Sequence, residues 1–233
     1  MCGVLGITIK NFNIEDGDLV RRLFQQSMIR GKHATGVSYV KDDKVHTVKD
    51  SIPADEWIAK QNLEEWINED GNLYCIGHIR YSTSDLRYNQ PMASDKIAIV
   101  HNGVITQESK STWEERYDLR TETSNDSELV LRAVEKDENP LIFFYPASMA
   151  VCMLFKNKRL AAFRNHERPL YYYSDERMTI FASTKDILNR SGISRSEKTR
   201  MFEIYNVNNF ELSHFEVADD QWLENKFSIK DLQ

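Results

Sequence analysis

With 233 residues and a mass of 27.2 kDa the chain is long enough for a substantial core, and 41% hydrophobic and 11% aromatic content with only 9 Gly and 5 Pro excludes a disordered, collagenous or low-complexity polymer. Lys and Arg number 30 against 36 Asp and Glu, a formal charge of −6 scattered along the chain, which argues against nucleic-acid binding by phosphate neutralisation. No apolar run approaches the roughly 18 residues of a membrane-crossing helix, and the start Met1-Cys2-Gly3-Val4-Leu5-Gly6-Ile7 lacks the basic region and cleavage site of a secretory signal, so the expected compartment is cytoplasmic, with no membrane and no nucleic acid as partner.

The chain opens with a predicted strand, Gly3 to Lys10, and an amphipathic helix from about Asp16 to Arg30 on which Leu19, Leu23, Phe24 and Met28 recur near helical spacing. Gly31 ends it. Strands near Gly36 to Val40 and Lys44 to Val48 flank the polar turn Lys41-Asp42-Asp43. Pro53 then opens a helix to about Asn68, with Trp57, Ile58, Leu63, Trp66 and Ile67 as its apolar positions. Strands near Leu73 to Tyr81 and Lys96 to His101 follow, and a helix is expected from close to Asp126 to about Lys136. The second half reads as strands Ser148 to Phe155, Arg159 to Arg164, Leu170 to Tyr173 and Met178 to Ala182, a short helix Lys185 to Arg190, and strands Met201 to Val207 and Phe210 to Val217. Turns such as Lys156-Asn157-Lys158 and Ser174-Asp175-Glu176-Arg177 imply antiparallel pairing. Without a repeat, a Pro- or Ser-rich linker or a shift in composition, residues 1–233 read as one domain of α+β layered-sandwich type.

Cys2, Cys75 and Cys152 are an odd number without close spacing, which excludes a disulfide framework and a Cys-x-x-Cys site. Cys75 and Cys152 lie in strand-like apolar runs and are expected to be buried and inert. Cys2 differs because aminopeptidases remove an initiator methionine that precedes a small residue. An exposed Cys2 would carry both a thiol, with a reference pKa of about 8.5, and an α-amine of about 7.7–8.0 able to take the thiol proton. Gly77-His78-Ile79-Arg80-Tyr81-Ser82-Thr83 sets a guanidinium at a strand end, suited to clamp a carboxylate. Val100-His101-Asn102-Gly103-Val104 reads as a strand ending in a turn, where the Asn102 amide and the Gly103 N–H form the donor pair of an oxyanion hole.

Thr123-Ser124-Asn125-Asp126-Ser127-Glu128 precedes the helix. Each segment also has an ordinary explanation when taken alone: an accidental second-position cysteine, a surface ion pair, an Asn-Gly hairpin turn and a helix cap. The six histidines, His33, His46, His78, His101, His166 and His214, show no metal-type spacing and no nucleophile elbow is present, so neither a metal nor a cofactor is expected.

Taken in chain order, Cys2-Gly3, Arg30-Gly31 with the segment to Gly36, Gly77 to Thr83, His101-Asn102-Gly103 and Ser124 to Glu128 resemble the class II glutamine amidotransferase (glutaminase) domain, a branch of the N-terminal nucleophile hydrolases. Asn89-Gln90-Pro91 is similar to a segment of amidophosphoribosyltransferase. The segments Arg164 to Tyr172 and Phe181 to Leu188 are similar to the glutaminase domain of asparagine synthetase. Lys32-His33-Ala34 departs from the Pro-Asp or Tyr-Asp of many relatives, and Arg168 from their Gly, Ile or Lys.

The resemblance implies a four-layer αββα sandwich of two antiparallel sheets between helices, and a reaction that hydrolyses L-glutamine to glutamate and ammonia. It implies that Cys2 is the nucleophile, Asn102 and Gly103 the oxyanion donors, Arg80 the partner of the substrate α-carboxylate, Asp126 that of its α-ammonium, and Thr83 part of the glutamine-site lining. About forty residues follow Ile193, too few for an ammonia-consuming domain of the kind found in those relatives, so a separate ammonia-accepting synthetase subunit is the expected partner. Two other readings stay open: an N-terminal-cysteine amidase acting on another small amide, and a catalytically silent binding or regulatory module of the same fold.

Overall fold

The computed structural model describes residues 1–82, 86–165 and 168–217. Its elements are β1 (Gly3–Ile9), α1 (Ile14–Gln26), β2 (Ala34–Lys41), β3 (Lys44–Asp50), α2 (Ala54–Ala59), β4 (Leu73–Arg80), β5 (Met92–Ala93), β6 (Ile97–Val104), α3 (Trp113–Tyr117), α4 (Ser127–Glu135) and α5 (Pro140–Phe143). Then come β7 (Ser148–Phe155), β8 (Leu160–Arg164), β9 (Tyr171–Ser174), β10 (Met178–Ala182), α6 (Lys185–Arg190), β11 (Glu197–Lys198), β12 (Glu203–Asn208) and β13 (Glu211–Glu216). One sheet has the order β11-β9-β10-β1-β4-β2-β3, the other β13-β12-β8-β7-β6-β5, and the neighbouring strands pair antiparallel.

The central strands are apolar at almost every position because both of their faces are covered. On β4, Leu73, Cys75 and Ile79 join a core with Phe24, Trp57 and Trp66 from the helical side, while Tyr74 and Ile76 face Ala98 and Val100 of the other sheet. On β7 the same alternation sends Met149, Val151 and Met153 toward Leu129, Val130 and Ala133 of α4, and Ala150, Cys152 and Leu154 into the layer between the sheets. The result is helices, sheet, sheet, helices: the αββα sandwich expected above.

Local chemistry explains where the elements differ from their predicted limits. The first helix starts at Ile14, two residues early, because Asn13 and Asp16 form a reciprocal capping box. It ends at Gln26 in a 3₁₀ turn, Ser27–Ile29. The single helix expected from Pro53 to Asn68 is instead α2 and a separate 3₁₀ turn, Leu63–Trp66. Two interactions divide it: Arg21 takes the Ile58 and Gln61 carbonyls at 2.6 and 3.2 Å, and the Asn62 side chain caps the new turn through Glu64 N–H. The Asn102-Gly103 pair is no hairpin turn, since β6 runs on to Val104 with Gly103 opposite Met149. Lys41-Asp42-Asp43 does turn, with Asp42 and Asp43 at φ of 51° and 53°, the positive values of a two-residue hairpin.

Phe24 ties α1 to the strand that carries the site. Its ring stacks on Trp57 at 5.7 Å and lies against Gly77 of β4, where an added Cβ would come within 2.6 Å of it. Phe24→Ala opens a cavity in a fully buried position and is expected to cost about 3–5 kcal/mol of stability, read as a lowered urea midpoint with an unchanged slope.

Candidate active site

β1 lies at the centre of its sheet, and its register with β4 pairs Gly3 with Ile79, so the chain start runs beside Arg80 at the sheet's end. Cys2 is half-buried there. Its backbone N–H donates to Asn102 Oδ1 at 3.1 Å, its thiol lies 3.7 Å from the Tyr81 carbonyl, and its own carbonyl accepts from Arg30 Nε at 3.3 Å. Met1 projects to solvent with its sulfur 3.5 Å from Arg168 Nη1.

The second sheet supplies Asn102 and Gly103 from β6. With Asn102 Oδ1 committed to the Cys2 N–H, Nδ2 is the free end of the amide, and it is buried without a partner among the described residues. Met149, opposite Gly103, spends its N–H and C=O on Asn165, so the Gly103 N–H points from the other edge of β6. On that edge His101, two residues earlier, exchanges both backbone groups with the Gln90 side chain. Only glycine fits at 103, because a Cβ would stand 1.9 Å from the Ser148 carbonyl oxygen.

Asp126 occupies the N-cap position of α4 yet makes no side-chain cap. Its Oδ2 instead accepts from Ile105 N at 2.7 Å and Thr106 N at 3.4 Å, and Asn125 bonds Ser127 N–H in its place. Oδ1 takes no hydrogen bond among the described residues. Arg80 Nη1 donates to Tyr88 O at 2.9 Å and Asn89 Oδ1 at 2.6 Å, so residues 88 to 90 brace the arginine on one side and β6 on the other. Lys49 of β3 anchors that segment through the carbonyls of Asn89 and Pro91.

Cys2, Arg80, Gly103 and Asp126 thus share the wall of one cavity of about 390 Å³, also lined by His78, His101 and Trp113, with Asn102 reaching Cys2 directly. Thr83 lies outside the described residues. Gln90, Ser127 and Asn165, which hold β6 in place, were not singled out as site residues, and Trp113 lies in a stretch whose sequence carries no periodic signal. Among the described residues no three His, Cys, Asp or Glu side chains converge as metal ligands would, and no helix is long and apolar enough to cross a membrane.

Burial pushes the Cys2 thiol above its ordinary range, and the charges of Arg80 and Arg30 pull against it. Burial, assisted by Arg30 and Arg168, lowers the α-amine of Met1, against an opposing influence of the Cys2 thiol. Complete burial drives the Cys75 and Cys152 thiols far upward, so neither forms thiolate at neutral pH. Burial pushes the His101 imidazole below its ordinary pKa, against the pull of Asp126; its Nδ1 lies 2.9 Å from Ser127 Oγ.

Residues 78–190 match a family model described as a glutamine amidotransferase domain. The chain is 23% identical over 215 residues to glutamine–fructose-6-phosphate aminotransferase (isomerizing) of Bacillus licheniformis, covering 88% of this chain and 34% of that protein. It is 31% identical over 173 residues to putative asparagine synthetase (glutamine-hydrolyzing) 2 of Methanocaldococcus jannaschii, covering 64% of this chain and 32% of that protein. The chain therefore spans about a third of these curated relatives. Among solved structures, glutamine phosphoribosylpyrophosphate amidotransferase from B. subtilis superposes with a TM-score of 0.75 at 15% identity, over 94% of this chain and 50% of that one, which places the two-sheet sandwich in the same fold.

The three thiols should separate by reactivity. With Met1 in place, iodoacetamide is expected to modify Cys2 alone in the folded protein, with a pH midpoint above that of free cysteine; Cys75 and Cys152 react only after denaturation. Peptide mapping by mass spectrometry reads both.

Proposed function

We propose that this chain, whose residues 78–190 match a glutamine amidotransferase domain model, binds L-glutamine in the cavity at Cys2 and hydrolyses the side-chain amide to glutamate and ammonia through a thioester on that cysteine. The reading includes removal of Met1, which converts the N–H now bonded to Asn102 into a free α-amine on the same nitrogen. The observation that carries it is this short contact between the Cys2 nitrogen and Asn102 Oδ1, which turns the unpaired Nδ2 into the remaining donor of that amide.

In this mechanism the α-amine takes the thiol proton as sulfur attacks the amide carbon, and the developing oxyanion is met by Asn102 Nδ2 and the Gly103 N–H. Collapse expels ammonia with a proton returned by the amine. Water then attacks the γ-glutamyl thioester, again with the amine as base, and regenerates the thiol. Arg80 and Asp126, both in the cavity wall, hold the α-carboxylate and the α-ammonium, so the amide is delivered to sulfur in one orientation. The names of both curated relatives join glutamine to an acceptor chemistry, and the matched region is about a third of each; the ammonia is accordingly passed to an acceptor, in our reading a separate synthetase subunit.

Intact mass should show loss of Met1 in the purified protein. Cys2→Ser is expected to abolish glutamine hydrolysis, and Asn102→Ala to lower turnover by about 10²–10³-fold with the fold intact by circular dichroism. A glutamine analogue with an electrophile at the amide carbon should label Cys2 and spare Cys75 and Cys152. Turnover of a different small amide in preference to glutamine would transfer the reading to another amidase, and an unlabelled, Met1-free protein without turnover would leave a silent module.

A further inference from the structure

His78 is not used by the reaction just described, yet it lies in the wall of the same cavity. It is 1% exposed, and its Nε2 has no hydrogen-bond partner among the described residues. Buried polar atoms in folded proteins are nearly always paired, so a lone nitrogen beside a cavity marks a place where a ligand completes the bonding.

The strand geometry shows which part of a ligand it meets. Alternate residues of β4 share a face: Gly77 faces the Phe24 ring on the helical side, so His78 and Arg80 face the other way, about 6–7 Å apart along the strand. The amide end of glutamine is assigned to Cys2, Asn102 and Gly103, and the ammonium to Asp126. The group left for β4 is the carboxylate. Burial, with Arg80 and His101 nearby, pushes the imidazole down to about 3, so His78 is neutral at working pH and can donate a hydrogen bond without adding charge next to Arg80.

We propose that His78 contacts the substrate directly, donating from Nε2 to the α-carboxylate of bound glutamine alongside Arg80. This rests on the glutaminase reading above. It makes His78 a determinant of specificity for α-amino acid amides over simple amides, because a site built around a buried donor discriminates strongly against a ligand that cannot pair with it.

The test compares His78→Leu and His78→Gln, the latter retaining an amide N–H near the position of Nε2, in the full chain with Met1 removed. His78→Leu is expected to raise the glutamine KM tenfold or more with kcat within threefold of wild type, while Cys2 alkylation by iodoacetamide and the melting temperature of the unliganded protein do not fall. His78→Gln should return KM to within threefold. Inhibition by 4-aminobutanamide, which lacks the α-carboxylate, should be equal in all three proteins. An unchanged KM in His78→Leu overturns the proposal, as does an equal loss of affinity for 4-aminobutanamide. A joint collapse of kcat, alkylation and melting temperature in both variants also overturns it, since that pattern marks a structural role. A wild-type protein that neither hydrolyses glutamine nor is labelled at Cys2 sinks the glutaminase reading itself, and this proposal with it.

Discussion

The contact between the backbone nitrogen of Cys2 and the side-chain oxygen of Asn102 joins two sheets whose facing layer is largely apolar. β1 and β6 are not neighbours in either sheet, and 100 residues separate the two ends of this bond. Its direction matters as much as its length. By using the oxygen of the amide it leaves the nitrogen buried and without a partner among the described residues. Everything else in the cavity wall is arranged around this junction.

Maintaining that junction takes a polar framework in a largely apolar interior. Gln90 matches both backbone groups of His101 and also reaches Ser127, and Asn165 does the same for Met149 across the strand pair. Side chains thus stand in for missing strands at the end of β6, where β5 contributes only two residues. Such substitution leaves backbone N–H groups pointing at an open edge without the cost of burying them unpaired. Arg80 is set by the same means: Tyr88 and Asn89 hold its guanidinium, and Lys49 holds them. An arginine braced in this way loses little conformational freedom when it engages a ligand.

The electrostatics of the chain start follow from where these elements converge. Arg30, Arg80 and Arg168 approach it from three separate segments, and burial disfavours charge on both the Cys2 thiol and the Met1 amine. The thiol is therefore biased toward its protonated form.

Much of the fold was legible from local pattern. The strands Ser148–Phe155 and Met178–Ala182 and the helix Lys185–Arg190 stand where their apolar runs and polar turns located them, since strand propensity and periodicity are written in adjacent residues. The split of the Pro53–Asn68 helix was not, because Arg21, some forty residues away, supplies the hydrogen bonds that end it. The same division holds at the site. Residue order alone pointed to Cys2, Arg80, Asn102, Gly103 and Asp126, whose chemistry is carried by side-chain type and motif. That Gly103 lies within a strand rather than a turn, that Asp126 serves the Ile105–Thr106 backbone instead of its own helix, and that His78 keeps a buried nitrogen without a hydrogen-bond partner among the described residues were decided only when distant strands were brought into register. Sequence specifies what each residue can donate, accept or bury; the packing of one sheet on another decides which of those capacities remain unspent.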